Sequence, residues 1–107
     1  MLRIQPVVVE WIVSVRPVIT SIRRHDRNLA DQLSRSSVSV ALNLAEGAGA
    51  CGGDKRRAYR IALREMREAL EAIELARALG YAGRQSAVEH DRGQRIVATL
   101  VRLARPA

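Results

Sequence analysis

The sequence predicts an all-α fold, an antiparallel up-down four-helix bundle. Three observations predict it: apolar residues recur at steps of three and four, capping residues stand where those runs begin, and the apolar content is almost wholly aliphatic. Of the 107 residues 48% are apolar, with no Phe, one Trp and two Tyr. A chain of this length suits one core, so residues 1–107 are read as a single domain.

The first helix is expected over about residues 6–24. Val8, Ile12, Val15, Ile19 and Ile22 form its seam, and Pro6 suits a first-turn position. Pro17 would remove a hydrogen bond and bend the helix. Val7, Val9, Trp11, Val13 and Val18 lie off the seam yet are apolar, which points to burial on several sides or to contact between copies. Val7, Trp11 and Val18 are therefore the expected oligomer contacts, with Trp11 read as an interface or core anchor.

The second helix is expected over about residues 29–46, capped by Asp26 or Asn28 and ended by Gly47, Gly49, Gly52 and Gly53. Leu33, Ser36 or Ser37, Val40 and Leu44 keep helical spacing. The third helix, about residues 54–79, carries Tyr59, Ala62, Met66, Ala69, Leu70, Ile73 and Ala76 on one face, with Asp54 as its cap and Gly80 as its stop. The fourth, about residues 87–104, opens with the capping-box spacing of Ser86 and Glu89 and carries Ile96, Val97, Leu100 and Leu103.

Gly47-Ala48-Gly49-Ala50-Cys51-Gly52 spells G-x-G-x-x-G after an alternating stretch, Ser37 to Leu44, which is the local grammar of a dinucleotide site. The fold that uses this motif needs a second parallel strand after the helix, and the residues from Gly80 to Gln85 offer none. An enzyme acting on a nucleotide is thereby disfavoured, and no cofactor is expected.

At the same place the sequence resembles a known family. Gln32-Leu33, Arg35 and the run S-V-S-V-A-L-N-L-A-E-G from Ser37 to Gly47, with Arg60-Ile61-Ala62-Leu63, Glu68 and Leu79-Gly80-Tyr81, are similar to the four-helix bundle proteins encoded in intervening sequences of bacterial large-subunit rRNA genes. The resemblance turns the alternating stretch from strand into helix and gives Ser39, Asn43, Glu46 and Gly47 structural roles. It also implies a ring-forming oligomer, a homopentamer in relatives. A distant relative, the accessory protein of diversity-generating retroelements, implies binding to nucleic acid and to a reverse transcriptase. The chain departs from the family pattern at Ala50, where a basic residue is usual, at Arg64-Glu65, where a small pair is usual, and at Ala58-Tyr59, where an aromatic is expected near position 58.

The formal charge of +7, from 18 Lys and Arg against 11 Asp and Glu, favours a polyanion: RNA, DNA or an acidic protein. A face that only keeps the protein soluble is the competing reading. Lys55, Arg56, Arg57, Arg60 and Arg64 crowd the start of the third helix, where cations oppose the macrodipole, so helix stability does not place them there. Arg23, Arg24 and Arg27 form a second cluster, and together these are the candidate phosphate contacts. Glu68 and Glu71 are expected to pair with Arg64 and Arg67. Glu46 is expected to pair with an arginine or accept from a neighbouring helix, and Asn43 to satisfy backbone groups.

His25-Asp26 and His90-Asp91 lack metal-ligand spacing, and Cys51 has no adjacent base, so neither a metal site nor a nucleophile is expected. One cysteine and no uninterrupted apolar run point to a reducing, cytoplasmic setting without a membrane partner. The sequence reading is thus a non-enzymatic, self-associating protein that binds nucleic acid or, alternatively, an adaptor for an acidic protein such as a reverse transcriptase or other enzyme.

Overall fold

A computed structural model describes residues 2–106, and among them are four helices and no strand. They are α1 (Ile4–Arg23), α2 (Arg27–Gly49), α3 (Gly52–Ala78) and α4 (Ala87–Leu103). Each packs on the next, and α4 also packs on α1. The 27 residues of α3, at about 1.5 Å each, set the long dimension of a molecule measuring 42 × 26 × 19 Å.

Helix α1 buries Ile4, Val8, Trp11, Val15 and Ile22. This face is rotated from the seam expected through Ile12 and Ile19, both of which end half-buried against the core. The expected interface changes with it. Trp11 is only 1% exposed and sits in the core cluster, so it offers no surface to a second copy, and Val7 and Val18 pack partly buried against that core. The apolar residues that α1 does present to solvent are Val9 and Val13. The helix runs unbroken through Pro17. The residue four positions earlier is the exposed Val13, where a carbonyl without its amide donor is open to water.

Asp26 caps α2: its Oδ1 accepts from the Leu29 amide at 3.0 Å. Replacing Asp26 by Ala should cost about 1 kcal/mol, read as an earlier midpoint in urea with an unchanged slope. A midpoint equal to that of the unmodified protein would show the cap to be idle.

The glycine run does not end α2 at Glu46. The helix continues through Gly47 to Gly49, because Gly47 is a packing residue: it is buried beneath the Tyr59 ring of α3, and an added Cβ would lie 2.5 Å from Tyr59 Cε1. Helix α3 then starts two residues before the expected cap, with Cys51 at the cap position, Gly52 at φ +57° and Asp54 inside the first turn. Only glycine takes that φ without strain, so the junction of α2 and α3 needs just two linking residues.

Helix α3 buries Ala58, Tyr59, Ala62, Met66, Ala69, Ala72, Ile73 and Ala76. It ends in a Schellman motif: Gly80 adopts φ +77°, its amide donates to the Arg77 carbonyl at 3.1 Å, and the Tyr81 amide donates to the Ala76 carbonyl at 2.8 Å. Ser86 caps α4 by accepting from the Glu89 amide at 3.1 Å, and Ile96 and Leu100 complete the core.

Candidate nucleic-acid interface

Helix periodicity sorts the cations of α3. Its core face runs through Tyr59, Ala62, Met66 and Ala69, which leaves Arg57, Arg60, Arg64 and Arg67 exposed on the outward side. Lys55 and Arg56 lie half-buried at the base of this stripe. The expected pairing with Glu68 and Glu71 does not form. Arg64 approaches Glu65 instead, at 3.7 Å, and among the described residues Arg57, Arg60 and Arg67 carry no ion pair. Guanidinium groups left without a carboxylate keep their full donor capacity for an anion.

The second expected cluster stands apart from the first. Arg24 follows α1 and Arg27 opens α2, so the length of α2, roughly 33 Å, separates them from Lys55 at the start of α3, and Arg64 comes closer only because α3 runs back along α2. Arg23 is also committed, bonding through Nη1 to Asp31 Oδ1 at 2.6 Å. Arg24 and Arg27 are exposed and carry no ion pair among the described residues.

A third basic group went unread in the sequence. Arg3, Arg95 and Arg102 line an open groove between the start of α1 and the end of α4, with Leu2, Ile4, Ala98 and Leu103 as its floor and no acidic residue in its wall. The seven-residue spacing of Arg95 and Arg102 was a usable signal for a shared face of α4, but the arrival of Arg3 depends on tertiary packing alone.

The signature residues of α2 divide into two roles. The Asn43 side chain donates to the Ser39 carbonyl at 2.9 Å and to Ser39 Oγ at 3.0 Å, closing a local bond on its own helix. Glu46 departs from expectation: it is exposed and has neither an arginine nor a hydrogen-bond partner among the described residues. Ser39 is half-buried and Gly47 buried, so the signature marks one packing glycine and a strip of surface rather than a pocket.

Other chemistry-bearing groups are held in structural positions. His25 stacks on Tyr81 with ring centroids 4.8 Å apart and planes 4° apart, and Ser21 Oγ donates to the Tyr81 carbonyl at 2.6 Å. A cleft of about 360 Å³ between α3 and α4 contains Glu74, Arg77 and His90, but Arg77 is tied to the Gly83 carbonyl at 2.6 Å. Cys51 is exposed. Among the described residues no three His, Cys, Asp or Glu side chains gather where they could hold a metal ion, and no helix is long and apolar enough to cross a membrane.

Comparison with known proteins bears on this geometry. Residues 10–100 match the family described as 23S rRNA-intervening sequence protein, a span that includes all four helices in whole or in part. The crystal structure of a protein with unknown function from the S23 ribosomal protein family of Bacteroides thetaiotaomicron VPI-5482 superimposes with a TM-score of 0.82. The likeness covers 95% of this chain and 98% of that one at 21% identity, and it establishes the fold alone. No curated protein matches the chain.

Proposed function

Because the chain belongs to the 23S rRNA-intervening sequence protein family, we propose that it is a non-enzymatic, self-associating accessory protein of the cytoplasm that binds nucleic-acid phosphates through α3. The observation that carries this reading is the stripe of Arg57, Arg60 and Arg67 on the outward face of α3, exposed and without ion pairs among the described residues. With Arg64 between them these are four cations within three turns of one helix, and they repel each other, so the stripe costs the isolated protein stability and gains from a polyanion laid along it.

The bundle that presents the stripe is an antiparallel up-down one. Two contacts and one shared groove support this: Arg23 bonds to Asp31, Ser21 donates to the Tyr81 carbonyl, and the start of α1 and the end of α4 wall the same groove through Arg3 and Arg102. Copies of it assemble into a ring, a pentamer by the family resemblance. Reversing Arg57, Arg60 and Arg64 to Glu should weaken binding of a labelled single-stranded RNA at low salt by more than tenfold. The slope of log affinity against log salt should fall by about 2, as three lost phosphate contacts dictate. RNA retention that ignores both salt and the charge reversal would refute the reading.

A second reading, an adaptor for an acidic protein such as a reverse transcriptase or other enzyme, is favoured by a specific feature. No exposed aromatic stands beside these arginines to stack a base, since Trp11 and Tyr59 are buried and Tyr81 is covered by His25. Salt-independent RNA behaviour would leave this reading standing.

A further inference from the structure

We propose that the groove walled by Arg3, Arg95 and Arg102 docks an acidic amphipathic helix of a partner protein, one with carboxylates two turns apart and aliphatic side chains between them. The proposal rests on the adaptor reading above, places the partner on α1 and α4 instead of α3, and names the chemistry of the segment that is held.

The pattern begins in α4. Arg95, Ala98, Thr99 and Arg102 stand at positions that share one face of the helix, cationic at its ends and small in its middle. Thr99 is half-buried and the other three are exposed. Across from them the start of α1 brings Leu2, Arg3 and Ile4, and Leu103 completes the floor of a groove of about 420 Å³. Two turns of α4 set Arg95 and Arg102 about 10 Å apart along the axis. A helix laid alongside has the same rise, so two glutamates seven residues apart on it come level with the two arginines, and its residues three and four positions after the first glutamate meet the floor.

The charge of the occupant follows from the surroundings. Among the described residues Arg3, Arg95 and Arg102 carry no ion pair, and Arg102 reaches only Thr99 Oγ1, at 3.4 Å. No acidic residue lines the wall. The nearest acids along the two helices are Glu10, which Arg92 approaches at 3.8 Å, and Asp91, one turn before Arg95. Arg92 and the exposed Arg105 offset them, so the excess of the three groove cations stands. A guanidinium takes a carboxylate through two parallel hydrogen bonds, which fixes direction as well as attraction.

The floor chooses among polyanions. Leu2, Ala98 and Leu103 offer aliphatic surface that a phosphate backbone has no group to cover, whereas a leucine gains by leaving water there. No two of the chain's 11 acidic residues stand seven apart, so a second copy does not supply the segment. The occupant is therefore a helix of another protein.

A labelled helical peptide with glutamates seven residues apart, and leucines three and four residues after the first, tests this by fluorescence anisotropy. The unmodified protein should bind it. Replacing both leucines by glutamine, or combining Arg3→Gln, Arg95→Gln and Arg102→Gln in the protein, should weaken binding by about tenfold or more. Ala98→Glu, which sets a carboxylate on the floor, should do the same. All four protein positions are exposed, and an unchanged helical circular dichroism spectrum checks the fold. Reversing Arg57, Arg60 and Arg64 should leave peptide affinity unchanged. Affinity that ignores the groove changes but falls with the α3 reversal would overturn the groove and keep the adaptor reading. Binding by no form of the protein would overturn the groove and remove support from the adaptor reading as well. If the groove changes weaken RNA and spare the peptide, the groove is a phosphate contact; if they alter the mass seen by light scattering, it is a contact between copies. Either outcome would overturn the proposal.

Discussion

Replacing Trp11 by alanine should remove about 3–5 kcal/mol of folding stability, the range for truncating a buried Trp. The side chain is 1% exposed and heads the set of large, fully buried residues, in a core otherwise built from Val, Leu, Ile, Met, Ala and one Tyr. No second Trp or any Phe can move in to fill the space, because the sequence has none. A small domain holds about 5–15 kcal/mol in total, so the change consumes much of its margin. The thermal midpoint should fall on the order of 15–25 °C. Trp11→Phe, which keeps most of the apolar volume, should lose much less. The loss should also be independent of protein concentration, since the indole packs within its own chain. A deficit that disappears at high concentration would instead place Trp11 between chains, because mass action then restores the contact.

That test bears on what the sequence could express about α1. The true face of Ile4, Val8, Trp11, Val15 and Ile22 and the expected face of Val8, Ile12, Val15, Ile19 and Ile22 share three residues and the same helical period. Periodicity cannot phase a helix that is apolar on most sides. The choice between Trp11 and Ile12 is made by tertiary packing, in which burying the larger side chain removes the most apolar surface from water. Helices α3 and α4 were legible because polar residues bracket their apolar faces, and the Ser86 cap stood in the sequence at its working spacing.

The site was legible in kind and not in layout. Arginines at steps of three and four on α3 announce an outward stripe through Arg56, Arg60, Arg64 and Arg67; the last three form it, while Arg56 ends half-buried and Arg57 takes its place. Their carboxylate partners did not follow from spacing, since Arg64 approaches Glu65, its neighbour in sequence. On an exposed helix such contacts are worth a few tenths of a kcal/mol, too little for spacing to dictate the rotamer. The groove of Arg3, Arg95 and Arg102 joins residues from different helices, so only packing assembles it.

Gly47→Ala should destabilise the protein even though alanine is the better helix former by about 1 kcal/mol. At an exposed helical glycine that preference would win. Here the new methyl would sit 2.5, 2.8 and 3.0 Å from Tyr59 Cε1, Cδ1 and Cζ, inside the distance at which any real Cβ is found. Tyr59 is itself 2% exposed, so its ring cannot swing into solvent without opening the core. Overpacking of this kind costs about 1–3 kcal/mol, and the α2–α3 junction has only two linking residues through which to relax. With the propensity gain subtracted, the expected net loss is up to about 2 kcal/mol in urea titration. The cause is testable by a double-mutant cycle. In a Tyr59→Leu background, which lacks the Cε1 and Cζ atoms, the same Gly47→Ala change should become neutral or stabilising, because the propensity gain remains after the clash has gone. If Gly47→Ala destabilises equally in both backgrounds, Tyr59 is not what requires glycine there. If it stabilises the unmodified protein, the glycine that looked like a helix stop has no packing role either.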